Sequence, residues 1–342
     1  MERNDKIVII GVTGYIGAWI AKQLTDMGYS QITGTYRNEE KAQQLQTLLP
    51  NLNLYKANLE EQANWQEVLS EAKCVFNQGS AYNPKDTTFK ERGRTKEKGI
   101  RMLLQLAVEA GSVKKIVHTS AESTIAYANE DPSKTTFTED DWTNENREDL
   151  FDLHMVSKTM EEKAAWSFIR SRENITNISM TTIHPTHVMG PSFVPWHHDM
   201  IYSMLHGDRA MADSQLYGVD VRDAAAMNIA LMKSAEADGR RHFAAGFKTT
   251  YSAVQDVIKD NFTAEQIRTV LGDVARIIPG DVVADLLSPV QSTSYYQDMV
   301  PRMFNRVVYK TNYPEAYAYE YKDPNITVME AMEKMLRDRN EG

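Results

Sequence analysis

The chain has 342 residues, 42% of them hydrophobic and 25% charged, which is enough for a sizeable core in one large domain or two unequal ones. Its formal net charge of −9 argues against a nucleic-acid surface, since phosphate binding needs a basic face. The start, MERNDKIVII, carries no expected secretory signal, no apolar run is long enough for a bilayer, and the single cysteine, Cys74, rules out an internal disulfide and points to a reducing, cytoplasmic setting.

In chain order, KIVIIG (6–11) reads as a strand ending in glycine. YIGAWIAKQLTDMG (15–28) places Ile16, Ile20, Leu24 and Met27 on one helical face, with Gly28 as a C-terminal stop. QITGTYR (31–37), LNLYKANL (52–59) and KCVFNQGS (73–80) follow as strands. GIRMLLQLAVEAG (99–111) is a helix, KKIVHTS (114–120) a fifth strand, the stretch after His154 a helix, and ISMTTIHPTHVMGP (178–191) a sixth strand. Such alternation implies an α/β fold, a doubly wound parallel sheet covered by helices on both faces. Beyond residue 190 the rhythm changes. YGVDVRDAAAMNIALM (217–232) reads as a turn and helix, RRHFAAG as a further strand, and 251–342 as mostly helical pattern broken by prolines. The expected organisation is a Rossmann-type nucleotide domain over 1–190, with 217–250 returning to it. A smaller, mostly helical substrate lobe would come from 191–216 and 251–342, with substrate between that lobe and the strand ends.

GVTGYIG sets Gly11, Gly14 and Gly17 in the spacing GxxGxxG, after a strand and at the start of a helix. In that context glycines permit a tight turn and close approach to a pyrophosphate, and the helix N-terminus supplies N–H groups and partial positive charge. The second strand ends in GTYRNEEK. An acid there would favour the ribose hydroxyls of NAD; Arg37, with Lys41 one turn later, suits a 2′-phosphate, so NADP(H) is the expected cofactor.

GVTGYIGAWI, TYRNEEKAQQL, KKIVHTSAEST, VSKTMEEKAAW, HPTHVMGP and VDVRDAAA lie in order over residues 6–226. Together they resemble an extended short-chain dehydrogenase/reductase of the NAD-dependent epimerase/dehydratase superfamily. The likeness is greatest to the branch holding dihydroflavonol reductases, cinnamoyl-CoA reductases and yeast-type methylglyoxal reductases. The resemblance implies cofactor contacts at Gly11, Thr13, Gly14, Tyr15, Ile16, Gly17, Arg37 and Lys41, with Asn58 and Leu59 at the adenine and Gly79 beside the ribose. It also implies Pro185 and Val188 at the nicotinamide, and Lys158 bonded to the nicotinamide ribose.

Two departures bear on chemistry. His154 stands where the family has its tyrosine acid, and Ala121 where it has the serine or threonine that steadies the carbonyl oxygen. His154 and Lys158, four apart on a helix, share a face, and an imidazole titrates close to cellular pH, so His154 is the candidate proton donor. If the strand continues past Ala121, Ser123 would stand near the place of the missing hydroxyl; Tyr127 is a further candidate; a loop hydroxyl bonded to local backbone is the alternative for both. His184, His187, His197 and His198, with Asp199, match no metal-ligand spacing, so no metal is expected. His187 and Trp196 read as substrate-pocket residues.

The expected function is an NADP(H)-dependent reductase of a small or aromatic aldehyde or ketone, a monomer or homodimer without nucleic-acid or membrane partners. Two other readings stand beside it: a non-redox lyase or isomerase on the same fold, and a catalytically silent NADP-binding sensor.

Overall fold

The computed structural model describes residues 1–126, 133–145, 153–194, 215–271, 308–309, 311–312 and 321–341; for residues 89, 153–155, 271, 309 and 341 it describes backbone alone. The chain divides into two compact units. The first comprises Met1–Pro185, Ala225–Ala244 and Tyr309–Tyr317; the second Thr186–Ala224, Ala245–Val308 and Ala318–Gly342.

The first unit is built on β1 (Lys6–Ile10), β2 (Ile32–Tyr36), β3 (Asn53–Lys56), β4 (Ala72–Asn77), β5 (Lys115–Thr119), β7 (Ser179–Pro185) and β10 (Arg241–Ala244). These seven form one sheet in the order β10-β7-β5-β4-β1-β2-β3, every pair parallel. The continuous apolar run of β1 is buried along its length, as expected of a central strand covered on both faces. Helices α1 (Tyr15–Asp26), α2 (Glu39–Leu48), α3 (Trp65–Leu69), α4 (Phe89–Ala110), α5 (Leu153–Ile169) and α6 (Val221–Lys233) connect or flank the strands, with a short β6 at Thr136–Phe137. One core cluster joins Val8 and Val75 of the sheet to Ile100, Leu103 and Leu104 of α4 and Ala165, Trp166 and Phe168 of α5.

The helix expected at 99–111 begins ten residues earlier, at Phe89, because Thr88 and Glu91 form a capping box there. The charged KERGRTKEK stretch hides the start from an apolar count, yet Gly93 and Lys96 within it are buried. Gly28 (φ +83°) follows α1 as expected of a helix stop.

The strand expected at 178–191 is two strands. β7 ends at Pro185, which has no N–H to extend a ladder, and β8 (His187–Met189) belongs to a second sheet in which β9 (Gln215–Asp220) lies between β11 (Phe247–Thr250) and β8. The turn expected at 217 is also corrected: residues 215–220 form the strand β9 (Gln215–Asp220) before α6. Its Gly218 marks close packing rather than a turn, since a Cβ there would run into the Phe247 ring of β11 (Phe247–Thr250). With α7 (Tyr251–Asn261), α8 (Ala264–Leu271) and α9 (Pro324–Glu341), this sheet forms the second unit's core, including Met189, Leu216, Val254, Ile258, Val328 and Met332. Helix α9 is latched to the end of β9 by Thr327 Oγ1 donating to Asp220 (2.8 Å) and by an Arg222–Glu330 ion pair.

Candidate functional site

The glycine loop lies between β1 and α1. Gly11 has φ +73°, a left-handed conformation that disfavours a side chain. A Cβ at Gly17 would meet the Gly11 carbonyl oxygen at 2.5 Å, and one at Gly14 would meet it at 3.0 Å. Loop and second strand are tied by Gly11 N donating to Thr35 Oγ1 (3.1 Å) and Val12 N to the Thr35 carbonyl (3.0 Å). Gly14 caps α1 without a side-chain bond, and the first turn holds no acid. A tight glycine turn that runs straight into an uncapped helix N-terminus is what a pyrophosphate requires, so these residues fit a dinucleotide. Thr13, Tyr15 and Ile16 complete the loop, Thr13 being buried.

Arg37 is exposed just beyond β2, and Lys41 lies in the first turn of α2, its backbone N–H donating to the Asn38 side chain (2.9 Å). Asn58 turns its side chain on the Glu60 N–H (2.9 Å), while Leu59 is buried in the core. Gly79 follows β4 and donates to Asn77 Oδ1 (3.2 Å).

Lys158 is buried, with three acceptors around its ammonium: Glu161 Oε2 at 2.6 Å, Ser80 Oγ at 3.2 Å and the Thr119 carbonyl at 3.4 Å. Glu161, one turn further along α5, also accepts from Ser80 Oγ (2.7 and 2.6 Å). Burial pushes the Glu161 pKa up, but the Lys158 ammonium, with Lys96, brings it below the ordinary carboxylate value. The cluster joins α5 to the carboxyl ends of β4 and β5, the edge at which β1 delivers the glycine loop.

The next residue, Glu162, is buried in a second network. It accepts from Ser120 Oγ (2.7 Å), Thr124 Oγ1 (2.7 Å), Trp166 Nε1 (3.2 Å), Thr182 Oγ1 (3.2 Å) and Arg241 Nε (2.8 Å), and meets His184 Nε2 at 3.0 Å. Arg241 lies over the Trp142 ring, 3.7 Å from its centroid. Burial opposes ionisation of Glu162, but His184 and Arg241 hold its carboxyl well below the ordinary range. His118 is also fully buried. Burial and the Lys158 charge lower its pKa to about 4, so it is neutral; Asn77 Nδ2 donates to its Nδ1 (3.0 Å), and Nε2 finds no partner among the described residues.

The extended geometry invoked for Ser123 does not hold: β5 stops at Thr119, and Glu122–Thr124 coil into a 3₁₀ turn that reorients residue 123. The Ser123 hydroxyl is buried and finds no hydrogen-bond partner among the described residues, while its carbonyl accepts from Thr143 Oγ1 (2.7 Å). Pro185 is buried at the end of β7; Val188 and His187 lie on β8. His187 Nδ1 is 3.2 Å from the Tyr217 carbonyl, and burial lowers its pKa to about 4. His154 is placed by its backbone in the first turn of α5, four residues before Lys158; its side chain lies outside the described residues, as do Tyr127, Trp196, His197, His198 and Asp199.

Residues 7–246 match the NAD dependent epimerase/dehydratase family. The chain belongs to that family. Among its relatives is "Cinnamoyl-CoA reductase CAD2" of Medicago truncatula, 26% identical over 290 residues, which covers 81% of this chain and 86% of that protein. The "Bifunctional dihydroflavonol 4-reductase/flavanone 4-reductase" of Pyrus communis is 27% identical over 263 residues, covering 70% and 72%. In fold, the chain resembles Gre2 of Candida albicans, solved in complex with NADPH, with a TM-score of 0.73 at 22% identity and coverage of 97% and 98%.

Within this family member, sequence reasoning passed over Ser80, Glu161, Glu162 and Arg241. Two consecutive glutamates on a helix carry no signal of burial in the sequence. The usable signal was the Lys158–Glu161 spacing of three, which brings the two side chains together on any helix.

Proposed function

We propose that the protein is an NADP(H)-dependent reductase of a small or aromatic aldehyde or ketone, working in a reducing, cytoplasmic compartment. The glycine loop carries this reading: a left-handed Gly11 and a Gly17 with no room for a Cβ open directly into an uncapped helix. Gly11, Thr13, Gly14, Tyr15, Ile16 and Gly17 bind the pyrophosphate, Arg37 and Lys41 select the 2′-phosphate, and Asn58, Leu59 and Gly79 border the adenosine half. Pro185, Val188 and Lys158 position the nicotinamide half. When bound, the cofactor supplies a hydride for the carbonyl carbon. His154 donates the proton that the carbonyl oxygen needs, in place of a phenol, and segments 191–216 and 251–342 select the substrate. Family membership and the reductase names of the relatives support this reading.

NADPH consumption against a panel of aldehydes, ketones and phenolic carbonyls tests it. Turnover is expected, falling as pH rises through the imidazole range near ~6.5, because only the protonated ring donates. His154→Ala should lower turnover by about 10²–10⁴-fold with nearly unchanged NADPH affinity. Tight NADPH binding with no turnover of any carbonyl would instead favour a silent binder or a non-redox enzyme. The absent hydroxyl at Ala121 and the full set of acceptors around Lys158 favour that second reading.

A further inference from the structure

An ammonium group has three protons, and the three around Lys158 meet an acidic oxygen, a hydroxyl and a carbonyl. The shortest of these contacts is to Glu161, a fully buried carboxylate. A buried ion pair that also shares a serine is a closed arrangement: Ser80 donates to Glu161 and accepts from Lys158, so each of the three side chains satisfies the other two. The group stands at the carboxyl ends of β4 and β5, beside β1, the edge at which ligands of open parallel sheets bind.

We propose that Glu161 is a positioning residue that holds Lys158 in an internally satisfied pose, so that the nicotinamide ribose must compete with it for the ammonium. This rests on the reading of the protein as an NADP(H) binder with Lys158 on the nicotinamide side. Glu161 then sets how strongly the nicotinamide half is gripped, while the adenosine half, held by the glycine loop, Arg37 and Lys41, is indifferent to it. The carboxylate also cancels the lysine charge locally.

The test is a calorimetric titration of the full chain with NADPH and with 2′,5′-ADP, which has the 2′-phosphate and no nicotinamide half. Glu161→Gln removes the competing charge and keeps the shape. It should tighten NADPH binding about tenfold, the scale of one charge-assisted hydrogen bond, and leave 2′,5′-ADP affinity unchanged. Glu161→Asp keeps a charge for the buried lysine but withdraws it by one methylene; it should shift NADPH the same way by a smaller factor, and serves if the glutamine variant does not fold. The double variant Glu161→Gln/Lys158→Met should bind NADPH no more tightly than the unmodified protein. If Glu161→Gln and Glu161→Asp leave NADPH affinity unchanged, or shift both nucleotides alike, the inference is overturned. It is also overturned if the double variant keeps the tightening. An unmodified protein that binds neither nucleotide overturns the cofactor reading and this inference with it; one that binds both isolates the role of Glu161.

Discussion

Glu162 illustrates how far a single side chain can govern this fold. Its carboxylate is fully buried among His184, Arg241, Ser120, Thr124, Thr182 and Trp166. Glu162→Gln leaves the Arg241 guanidinium without its charged acceptor, and breaking such a pair from one side costs about 3–5 kcal/mol, measurable by urea denaturation. The pH dependence follows from the direction of the shift. The folded carboxyl titrates well below its ordinary value, so its contribution is present above the unfolded glutamate pKa of about 4.3 and is lost as pH falls through the folded value. The acid limb of stability should therefore flatten in Glu162→Gln. At the opposite end of the site, Arg37 is exposed beyond β2. On the proposed NADP(H) reading, Arg37→Asp puts a negative charge where the 2′-phosphate would lie, and should erase or reverse a preference for NADPH over NADH. Equal calorimetric affinity for the two nucleotides in the unmodified protein would refute the assignment.

At the scale of elements, α4 packs along α5 in one core cluster. A Cβ added at Gly93 would run into the flexible end of the Met160 side chain, so the contact is close but can be relieved by that side chain alone. Gly93→Ala forces Met160 into another rotamer while gaining about 1 kcal/mol of helix propensity, so its net effect should stay within about 1 kcal/mol, and in a Met160→Ala background the same substitution should be more favourable; thermal melts of the four proteins measure the coupling. The parts of the fold written as periodic apolar runs were legible from the sequence: β1, α1, β5 and the apolar half of α4. Elements whose reason is tertiary were not. Gly218 resembles a turn until Phe247 is packed on it, and the start of α4 is charged yet anchored by a capping box. The glycine loop was legible because its geometry is local. The Glu161 and Glu162 networks were not, because nothing in EEKAAW says that a helix with so many polar residues is buried on nearly every side.

In the whole molecule, the first unit is assembled from separated stretches of chain: its sheet is completed by β10, whose Arg241 supplies the cation for Glu162. Asn228 of α6 bonds both Gln78 (3.1 Å) and Thr119 (3.3 Å), and Lys115 donates to the Ser234 carbonyl (2.5 Å). A fragment ending at residue 190 contains every nucleotide-loop residue but none of these partners, and its Glu162 would be buried without Arg241. It should show no cooperative thermal transition and be cut rapidly by protease, whereas a fragment ending at 250 should regain both properties. A stable 1–190 fragment would show that the returning segment is dispensable.

The separation of Glu162 from Arg241 has a consequence for how the chain is made. Their pairing spans 79 residues, so a ribosome adding ~5–20 residues per second has emitted α5 roughly 4–16 s before its counter-ion exists. During that interval the glutamate must stay hydrated or protonated, and α5 cannot settle onto the nascent sheet in its final form. The N-terminal part of the first unit is thus the first part translated, but it closes only after the whole intervening segment and Arg241 itself have left the exit tunnel.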